Sequence, residues 1–303
     1  MYAFEFERPT TVDDAVKALA SEAAQALGGG QTLVPTLKQR LAAPETLVSL
    51  GATTHAMVAA EAGQYPALAE LASHIGDPAV RNRGTIGGSL ANNDPSACYP
   101  AAALGSNATI ITNTRDIGAD DYFQGMFTTA LEEGEIITEV RFPVPEKANY
   151  QKFVQPASRF ALDGVFVAKY TDGVRVAVTG ASEEGVYRWS EAEEALSADF
   201  SAEAIAGLNM PADGLIGDLH GTPEYRAHLV KAMPGRAVTA AACSLKLSRR
   251  RRVGLACAVL LLAGGVLSVL LASDRRIEER QHARLLAVQD MPLASFVSDG
   301  CSG

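Results

Sequence analysis

The sequence predicts an α+β chain in two parts, followed by one helix that crosses a membrane. Before Pro143, short helix-forming stretches alternate with short strands, and two glycine-rich segments interrupt them. After Pro143, two runs of alternating apolar residues flank Asp172-Gly173, and far downstream Val253–Ser273 carries no charge. A chain of 303 residues is long enough for two modest domains.

The first part begins with a helix that Thr11 caps. Asp14 stands three residues after Thr11, which is typical of a capped start, and the Ala- and Leu-rich stretch predicts helix to about Ala24. A second helix is predicted over Leu33–Leu41, with Pro35 in its first turn. The other predicted elements are a strand at Leu47–Leu50, helices at Pro66–Ile75 and Pro95–Leu104, and strands at Ala108–Thr112 and Glu135–Phe142.

The second part begins after Pro143 and Pro145 with an antiparallel hairpin. Two alternating runs of apolar residues around an Asp-Gly pair are a strong hairpin signal. Helices are predicted after the hairpin, at Ser190–Leu196, at Ala202–Leu208 and from Glu224 onward.

The apolar segment Val253–Ser273 predicts a transmembrane helix, because its length is about that of a bilayer span. Arg249–Arg252 precede it directly, and the positive-inside rule places this flank in the cytoplasm. We therefore expect a cytoplasmic body at the inner face of the membrane, and a short tail of unknown role at 274–303.

Composition excludes several classes of function. The formal net charge is −9 and residues 1–242 are acidic, so a nucleic-acid partner is not expected. The four cysteines form no CxxC spacing, and the five histidines form no HExxH motif. We therefore expect no iron–sulfur, zinc or other metal site in this chain, and a reducing compartment fits the lack of a disulfide pattern.

Two glycine-rich segments, Gly28–Thr32 and Thr85–Ser89, are the candidate binding elements. Bare backbone lets amide groups approach a phosphate, and a helix start adds the positive end of a dipole. The alternative is that each is an ordinary surface turn, and neither matches a Walker A or GxGxxG motif. The stretch "RNRGTIGGSLANNDP", Arg81 to Pro95, is predicted as a loop. Arg81 and Arg83 either face phosphate or are solvated.

No arrangement of catalytic side chains stands out. A Ser-His-Asp spacing and a distinctive pair of carboxylates are both absent, so no catalytic residue is assigned. Any chemistry is therefore expected to belong to a cofactor.

Four motifs carry a resemblance that covers about Met1 to Ala242. "GGGQTL", "IGDPAVRNRGTIGGSLANNDPSACYPAA", "GEIITEVRFP" and "PASRFALDGVFVAK" resemble the flavin-binding medium subunit of the molybdenum hydroxylases. This is the group of aerobic carbon monoxide dehydrogenase and the xanthine dehydrogenases.

The resemblance implies a two-part, PCMH-type FAD-binding domain at 1–145 and a small α+β C-terminal domain at 148–242. The two glycine segments are implied to bind the FAD pyrophosphate, the stretch after the second to lie beside the isoalloxazine, and one strand to cover the ring system. The implied FAD-binding residues are Gly28, Gly29, Gly30, Gln31, Thr32, Thr53, Thr54, Thr85, Ile86, Gly87, Gly88, Ser89, Asn93, Asp94, Cys98, Ile136 and Ile137.

The function implied by the resemblance is electron transfer. A large molybdopterin-binding subunit would oxidise the substrate, and a small [2Fe–2S] subunit would pass electrons to FAD on this chain. FAD would then reduce an acceptor such as NAD, quinone or dioxygen.

The chain departs from the family pattern at three places. "LVSL" ends at Leu50 and joins Gly51 directly, without the usual twenty or so residues, which predicts an internal deletion near 50/51. Cys98 occupies a position where many family members have Asp. Family members usually end near Ala242, so the residues after Cys243 look like a separate segment joined to the chain. Two alternatives remain open: a degenerate flavodomain that binds only partners or a membrane, and an independent flavin reductase or oxidase.

Overall fold

A computed structural model describes the backbone of residues 1–262 and the side chains of residues 1–243. The chain divides into two compact units, Met1–Cys243 and Ser244–Gly303. The described side chains all belong to the first unit. Of the second unit, residues 244–262 are described, and they are helical.

A small parallel sheet opens the fold. Its strand order is β1-β3-β2, and Thr46 of β3 pairs with Glu5 on one side and Ala24 on the other. Thr11 caps α1 by accepting a hydrogen bond from the Asp14 amide, as predicted, but α1 is shorter than predicted because the chain forms β2 from Ala24. The elements are β1 (Glu5–Glu7), α1 (Val12–Leu19), β2 (Ala24–Leu27), α2 (Leu33–Lys38) and β3 (Thr46–Ser49).

Five short helices follow the parallel sheet. The stretch predicted as a loop over 81–95 is mostly helical, so that prediction is wrong. Its two helices begin at good caps, because Asp77 accepts from the Val80 amide and Thr85 accepts from the Gly88 amide. The helices are α3 (His55–Glu61), α4 (Pro66–Ser73), α5 (Pro78–Arg83), α6 (Ile86–Asn92) and α7 (Cys98–Gly105).

Two small antiparallel sheets complete the part before residue 145. One has the strand order β5-β4-β8, and the other pairs β6 with β7. The elements are β4 (Thr109–Thr112), β5 (Asp116–Gly118), α8 (Ala119–Tyr122), β6 (Phe123–Gly125), β7 (Thr128–Thr129) and β8 (Ile137–Arg141).

A four-stranded antiparallel sheet of order β12-β11-β10-β9 dominates the remainder. The predicted hairpin is confirmed, since Tyr170 pairs with Gly173 across the Asp-Gly turn. The elements are β9 (Lys147–Val154), β10 (Ala161–Tyr170), β11 (Gly173–Ser182), β12 (Gly185–Arg188), α9 (Ser190–Ala198), α10 (Ala202–Ile205) and α11 (Pro223–Leu262).

Helix α7 lies at the centre of the largest hydrophobic cluster, with all eight of its residues buried. It packs against α4 and α6 on one side and against β10, β11 and β12 on the other. The cluster therefore joins residues from both sides of position 145, including Leu71, Tyr99, Tyr150 and Phe166.

A buried acidic residue lies in β10. Asp163 has no exposed surface, and neither of its carboxylate oxygens has a hydrogen-bond partner among the described residues. Burial raises its pKa to about 8, and attraction from Arg226 offsets this only in part. Arg226 is also buried, and it donates to the carbonyls of Leu162 and Gly180 and to Asp218.

The fold mixes helices and strands as predicted, but the predicted transmembrane helix at 253–273 is wrong. Within the part of the chain that the structure describes, no helix combines the length and the apolar character needed to cross a bilayer. The described helix α11 ends at Leu262, and the rest of the predicted span, like the tail at 274–303, lies outside the described residues.

Candidate functional site: a cleft between two glycine segments

The two glycine segments lie against each other, backbone to backbone. The first connects β2 to α2, and the second begins at the junction of α5 and α6. A Cβ atom at Gly29 would lie 2.0 Å from the Arg83 carbonyl oxygen and 2.7 Å from Gly84 Cα. Only glycine at position 29 permits this close approach. Because the two segments lie far apart in the sequence, no local pattern predicts their contact.

A short antiparallel bridge anchors the second segment. The His55 amide donates to the Gly84 carbonyl at 2.9 Å, and the Ile86 amide donates to the Thr53 carbonyl at 3.1 Å. Thr54 uses its hydroxyl to cap α3, where it accepts from the Met57 amide at 3.3 Å. Thr53 and Thr54 therefore lie beside the second segment, but neither lines a cavity.

Two cavities flank the contact between the segments. The larger has a volume of about 810 Å³ and the smaller about 370 Å³. Both sizes fall in the range of roughly 300–1,000 Å³ that is usual for small-molecule sites. The residues shared by the two linings are Ala26, Gly28, Thr85, Gly88 and Ala91.

Twelve of the seventeen residues implied by the family resemblance line these cavities. They are Gly28, Gly29, Gly30, Gln31, Thr32, Thr85, Gly87, Gly88, Ser89, Asp94, Ile136 and Ile137. The smaller cavity contains Gly87 and the two isoleucines, whereas the larger contains the whole first segment and Asp94. The structure therefore brings together three stretches that are far apart in sequence.

Asn93 does not line either cavity, although the resemblance implied it. It ends α6 in the left-handed conformation with φ of 43°, and 1% of it is exposed. Its side-chain amide donates to the Gly125 and Thr128 carbonyls at 2.8 and 2.9 Å, and its own carbonyl accepts from the Phe127 amide. Asn93 thus holds the turn between β6 and β7.

Cys98 and Ile86 are also not among the described residues that line the two cavities. Cys98 is the first residue of α7 and is 4% exposed within the largest hydrophobic cluster, and Ile86 packs against the same cluster. Asp94, by contrast, lines the larger cavity and turns the chain toward α7, since its Oδ1 accepts from the Ser96 amide at 2.8 Å.

Among the lining residues of the larger cavity that the sequence did not imply are His55 and Phe160. His55 is 5% exposed, its Nδ1 has no partner among the described residues, and a Cβ at Gly84 would lie 2.4 Å from its Nε2. Burial lowers the pKa of His55 to about 4, so the imidazole is neutral near pH 7. Phe160 reaches the larger cavity from the turn between β9 and β10. No local pattern distinguishes either residue from an ordinary core residue.

The charges around the cavities are negative. Asp94 and Glu135 line the larger and smaller cavity respectively, and the described lining residues include no Lys or Arg. Arg81 donates to the Ile75 and Gly76 carbonyls instead of facing the cleft. A phosphate group in this cleft would therefore depend on backbone amides and neutral donors.

The cleft fits the FAD that the resemblance implies. Two cavities that share five lining residues suit a ligand with two halves, and Gly28 and Gly88, which approach each other, belong to both linings. A Cβ at Gly87 would contact nothing within 4 Å, so the start of α6 leaves open space beside bare backbone. Such a surface accommodates a pyrophosphate at close range.

Comparison with known proteins agrees with the geometry. Residues 49–145 match the family described as "FAD binding domain in molybdopterin dehydrogenase". The nicotine 6-hydroxylase medium subunit of Paenarthrobacter nicotinovorans is 32% identical, over 79% of this chain and 97% of that protein. The carbon monoxide dehydrogenase medium chain of Afipia carboxidovorans is 31% identical, over 80% of this chain and 98% of that protein.

Solved structures show the same likeness. Carbon monoxide dehydrogenase from Oligotropha carboxidovorans has a chain with a TM-score of 0.72 and 28% identity, over 79% of this chain and 98% of that one. Quinoline 2-oxidoreductase from Pseudomonas putida 86 has one with a TM-score of 0.71, 27% identity and coverages of 80% and 98%.

The nicotine 6-hydroxylase alignment also shows that this chain has fewer residues than its relative within the aligned region. The alignment extends over 276 positions, whereas 79% of a 303-residue chain is fewer residues than that. The chain therefore lacks residues within the aligned region. Their placement near 50/51 stays a prediction.

Proposed function

Because this chain belongs to the family of FAD-binding medium subunits of the molybdopterin dehydrogenases, we propose that it is the electron-transfer subunit of such a complex. It is a subunit of an oxidoreductase, and its cofactor is FAD. In the proposed complex, a large molybdopterin-binding subunit oxidises the substrate and a small [2Fe–2S] subunit carries the electrons onward. Bound FAD supplies the two-electron chemistry between that subunit and an acceptor such as NAD, quinone or dioxygen.

The observation that carries the proposal is the contact between the two glycine segments. The two cavities beside this contact share five lining residues, and their described linings offer backbone, mainly small side chains and one neutral imidazole, while the carboxyl groups of Asp94 and Glu135 lie in different cavities. A site of this kind binds and orients a cofactor and leaves the chemistry to it.

Each part of the cleft has a distinct task in this proposal. The segments Gly28–Thr32 and Thr85–Ser89 hold the pyrophosphate through their backbone. Ile136 and Ile137 exclude water from the smaller cavity, and Phe160 covers part of the larger one.

A degenerate flavodomain is the competing interpretation, and Cys98 and the missing residues motivated it. The placement of Cys98 in the core weakens that motivation, because an Asp-to-Cys difference there removes no group from the cavity lining. A cytoplasmic location for the complex is likewise proposed. It is supported by the absence of a disulfide pattern in the sequence.

The test begins with the full-length chain, purified and examined by visible absorption, with flavin quantified after denaturation. We expect close to one FAD per chain. The chain is then combined with its partner subunits, and the flavin bands are followed after substrate is added. Bleaching that requires the [2Fe–2S] subunit, followed by recovery with an acceptor, supports electron transfer. A folded, colourless chain that ignores added FAD contradicts the proposal, and so does flavin that substrate never reduces.

A further inference from the structure

A buried carboxylate belongs to the wall of the smaller cavity. The side chain of Glu135 is 3% exposed and accepts five hydrogen bonds. Its partners are Arg115 Nε and Nη2 at 2.9 and 3.0 Å, the Thr112 and Thr114 hydroxyls at 3.1 and 2.5 Å, and the Glu132 amide at 2.7 Å. Arg115, then Thr114 and the Glu132 amide, hold the pKa of Glu135 at about 2, so this carboxylate stays charged.

These bonds tie the cavity wall to a turn in the neighbouring hairpin. Arg115 also donates to the Ala130 carbonyl at 2.7 Å, so one guanidinium binds both ends of the segment 130–135. Next to it, the Ile136 amide donates to Asn113 Oδ1 at 2.7 Å, and the Asn113 amide donates to the Ile136 carbonyl at 3.1 Å. The wall is therefore held in place by the hydrogen bonds of the Glu135 carboxylate and by those of the Ile136 backbone.

The segment fixed in this way faces the cavity. Leu131, Glu135, Ile136 and Ile137 all contribute to the lining of the smaller cavity. Ile136 also packs with Ala15 and Val48 of the hydrophobic cluster beneath the parallel sheet. An apolar wall of this kind contributes to affinity only if it is held in place before the ligand arrives, because ordering it on binding costs conformational entropy.

We propose that Glu135 and Asn113 are positioning residues for FAD: Glu135 through Arg115, and Asn113 through its bonds to Ile136, hold Leu131 and Ile136 in the conformation that contacts the cofactor. The proposal rests on FAD occupying this cleft, as in the proposed function. Glu135 does not need to contact FAD, since all the hydrogen bonds described for it go to the chain's own groups.

The chain offers a matched control for the charge. Glu132 lies in the same segment and also pairs with Arg115, at 3.2 Å, but its side chain is 75% exposed. Glu132→Gln therefore removes one negative charge from the same segment and leaves the hydrogen bonds of the Glu135 side chain in place. Asn113→Ala removes the second support of Ile136 while leaving Glu135 intact.

The experiment titrates full-length apoprotein of each variant with FAD, and records the visible circular dichroism of the bound flavin. For Glu135→Gln and Asn113→Ala we expect the Kd for FAD to rise about tenfold or more, with an altered flavin dichroism. Glu132→Gln should stay within about twofold of wild type. If Glu135→Gln does not fold, as judged by far-ultraviolet dichroism, Arg115→Gln takes its place, because it removes the ion-pair partner of Glu135 from a side chain that is 42% exposed.

Wild-type affinity and wild-type flavin dichroism in both variants would overturn the inference, even if their melting temperatures fall, because the network would then support only the fold. A wild-type chain that binds no FAD is a different result: it refutes the proposed function, and the inference falls with it.

Discussion

Gly87→Ala is expected to raise the stability of the apoprotein and lower its affinity for FAD. Gly87 lies in the first turn of α6, and a Cβ there would contact nothing within 4 Å. Alanine is favoured over glycine within a helix by about 0.5–1 kcal/mol. The new methyl group points into the space of the smaller cavity, which Gly87 lines.

The expected magnitudes have opposite signs. For a folded unit of this size, 1 kcal/mol shifts Tm by roughly 2–4 °C, so the apoprotein should melt about 1–4 °C higher. Forcing a methyl group into a filled site costs about 1–3 kcal/mol, which corresponds to a Kd for FAD roughly 5- to 150-fold weaker.

The two effects are measured by thermal unfolding of apoprotein and by fluorescence titration with FAD. Gly29→Ala is the contrasting variant, since its Cβ would meet the Arg83 carbonyl oxygen at 2.0 Å and only backbone could move away. It should lose about 3 kcal/mol or more of stability. A Gly87→Ala protein that binds FAD as tightly as wild type would refute the placement of FAD beside Gly87.

Three further predictions concern the pH dependence of stability, the side-chain bonds of Asn93 and the salt dependence of FAD binding. Between pH 6.5 and 8 the free energy of unfolding should fall with a slope approaching about 1.4 kcal/mol per pH unit. In this range the unfolded Asp163 is ionised, whereas the folded one, with a pKa of about 8, is still protonated. Below pH 6.5 the slope should flatten, because the lowered pKa of His55 acts in the opposite direction between about 4 and 6.5. Asn93→Ala should cost about 2–4 kcal/mol by leaving the carbonyls of Gly125 and Thr128 unpaired, with little change in FAD affinity. The Kd for FAD should change less than about threefold between 50 and 500 mM salt, because the described cavity lining contains no Lys or Arg to be screened.

Each of these predictions has a control. Asp163→Asn should abolish the fall in stability above pH 6.5, and a fall that persists would assign it to another group. Asn107→Ala is matched to Asn93→Ala, since Asn107 is exposed and also has a positive φ of 51°. A loss of stability equal in the two variants would mean that the side-chain bonds of Asn93 contribute nothing. FAD binding that weakens steeply with salt would require a cation at the site.

Local signals accounted for the parts of the fold that the sequence predicted well. The Thr11 cap and the Asp172-Gly173 turn each depend on contacts within a few residues. Strand β2 was not predicted, because Ala24–Leu27 has no strand pattern and is held by pairing with distant β3. Helix α6 was not predicted, because the glycines of Thr85–Ser89 are unfavourable in a helix. Thr85 caps the start of this helix.

The same distinction applies to the cleft. The glycine segments could be identified from the sequence, because a backbone without side chains requires glycine. The role of Asn93 depends on a turn more than thirty residues away, which no nearby pattern reveals. Phe160 comes to the cleft through tertiary packing alone, and so did not stand out.

Helix α7 also determines when the chain can finish folding during its synthesis. The strands that cover it, β10 and β11, leave the ribosome after it does. Until they are made, the Pro95 carbonyl lacks its two donors, the Gly180 amide and the Thr179 hydroxyl. At about 5–20 residues per second, an apolar helix stays uncovered for on the order of ten seconds. Nascent chains of this protein are therefore expected to bind chaperones at this stage, and a ribosome that stalls near position 145 would release an aggregation-prone product.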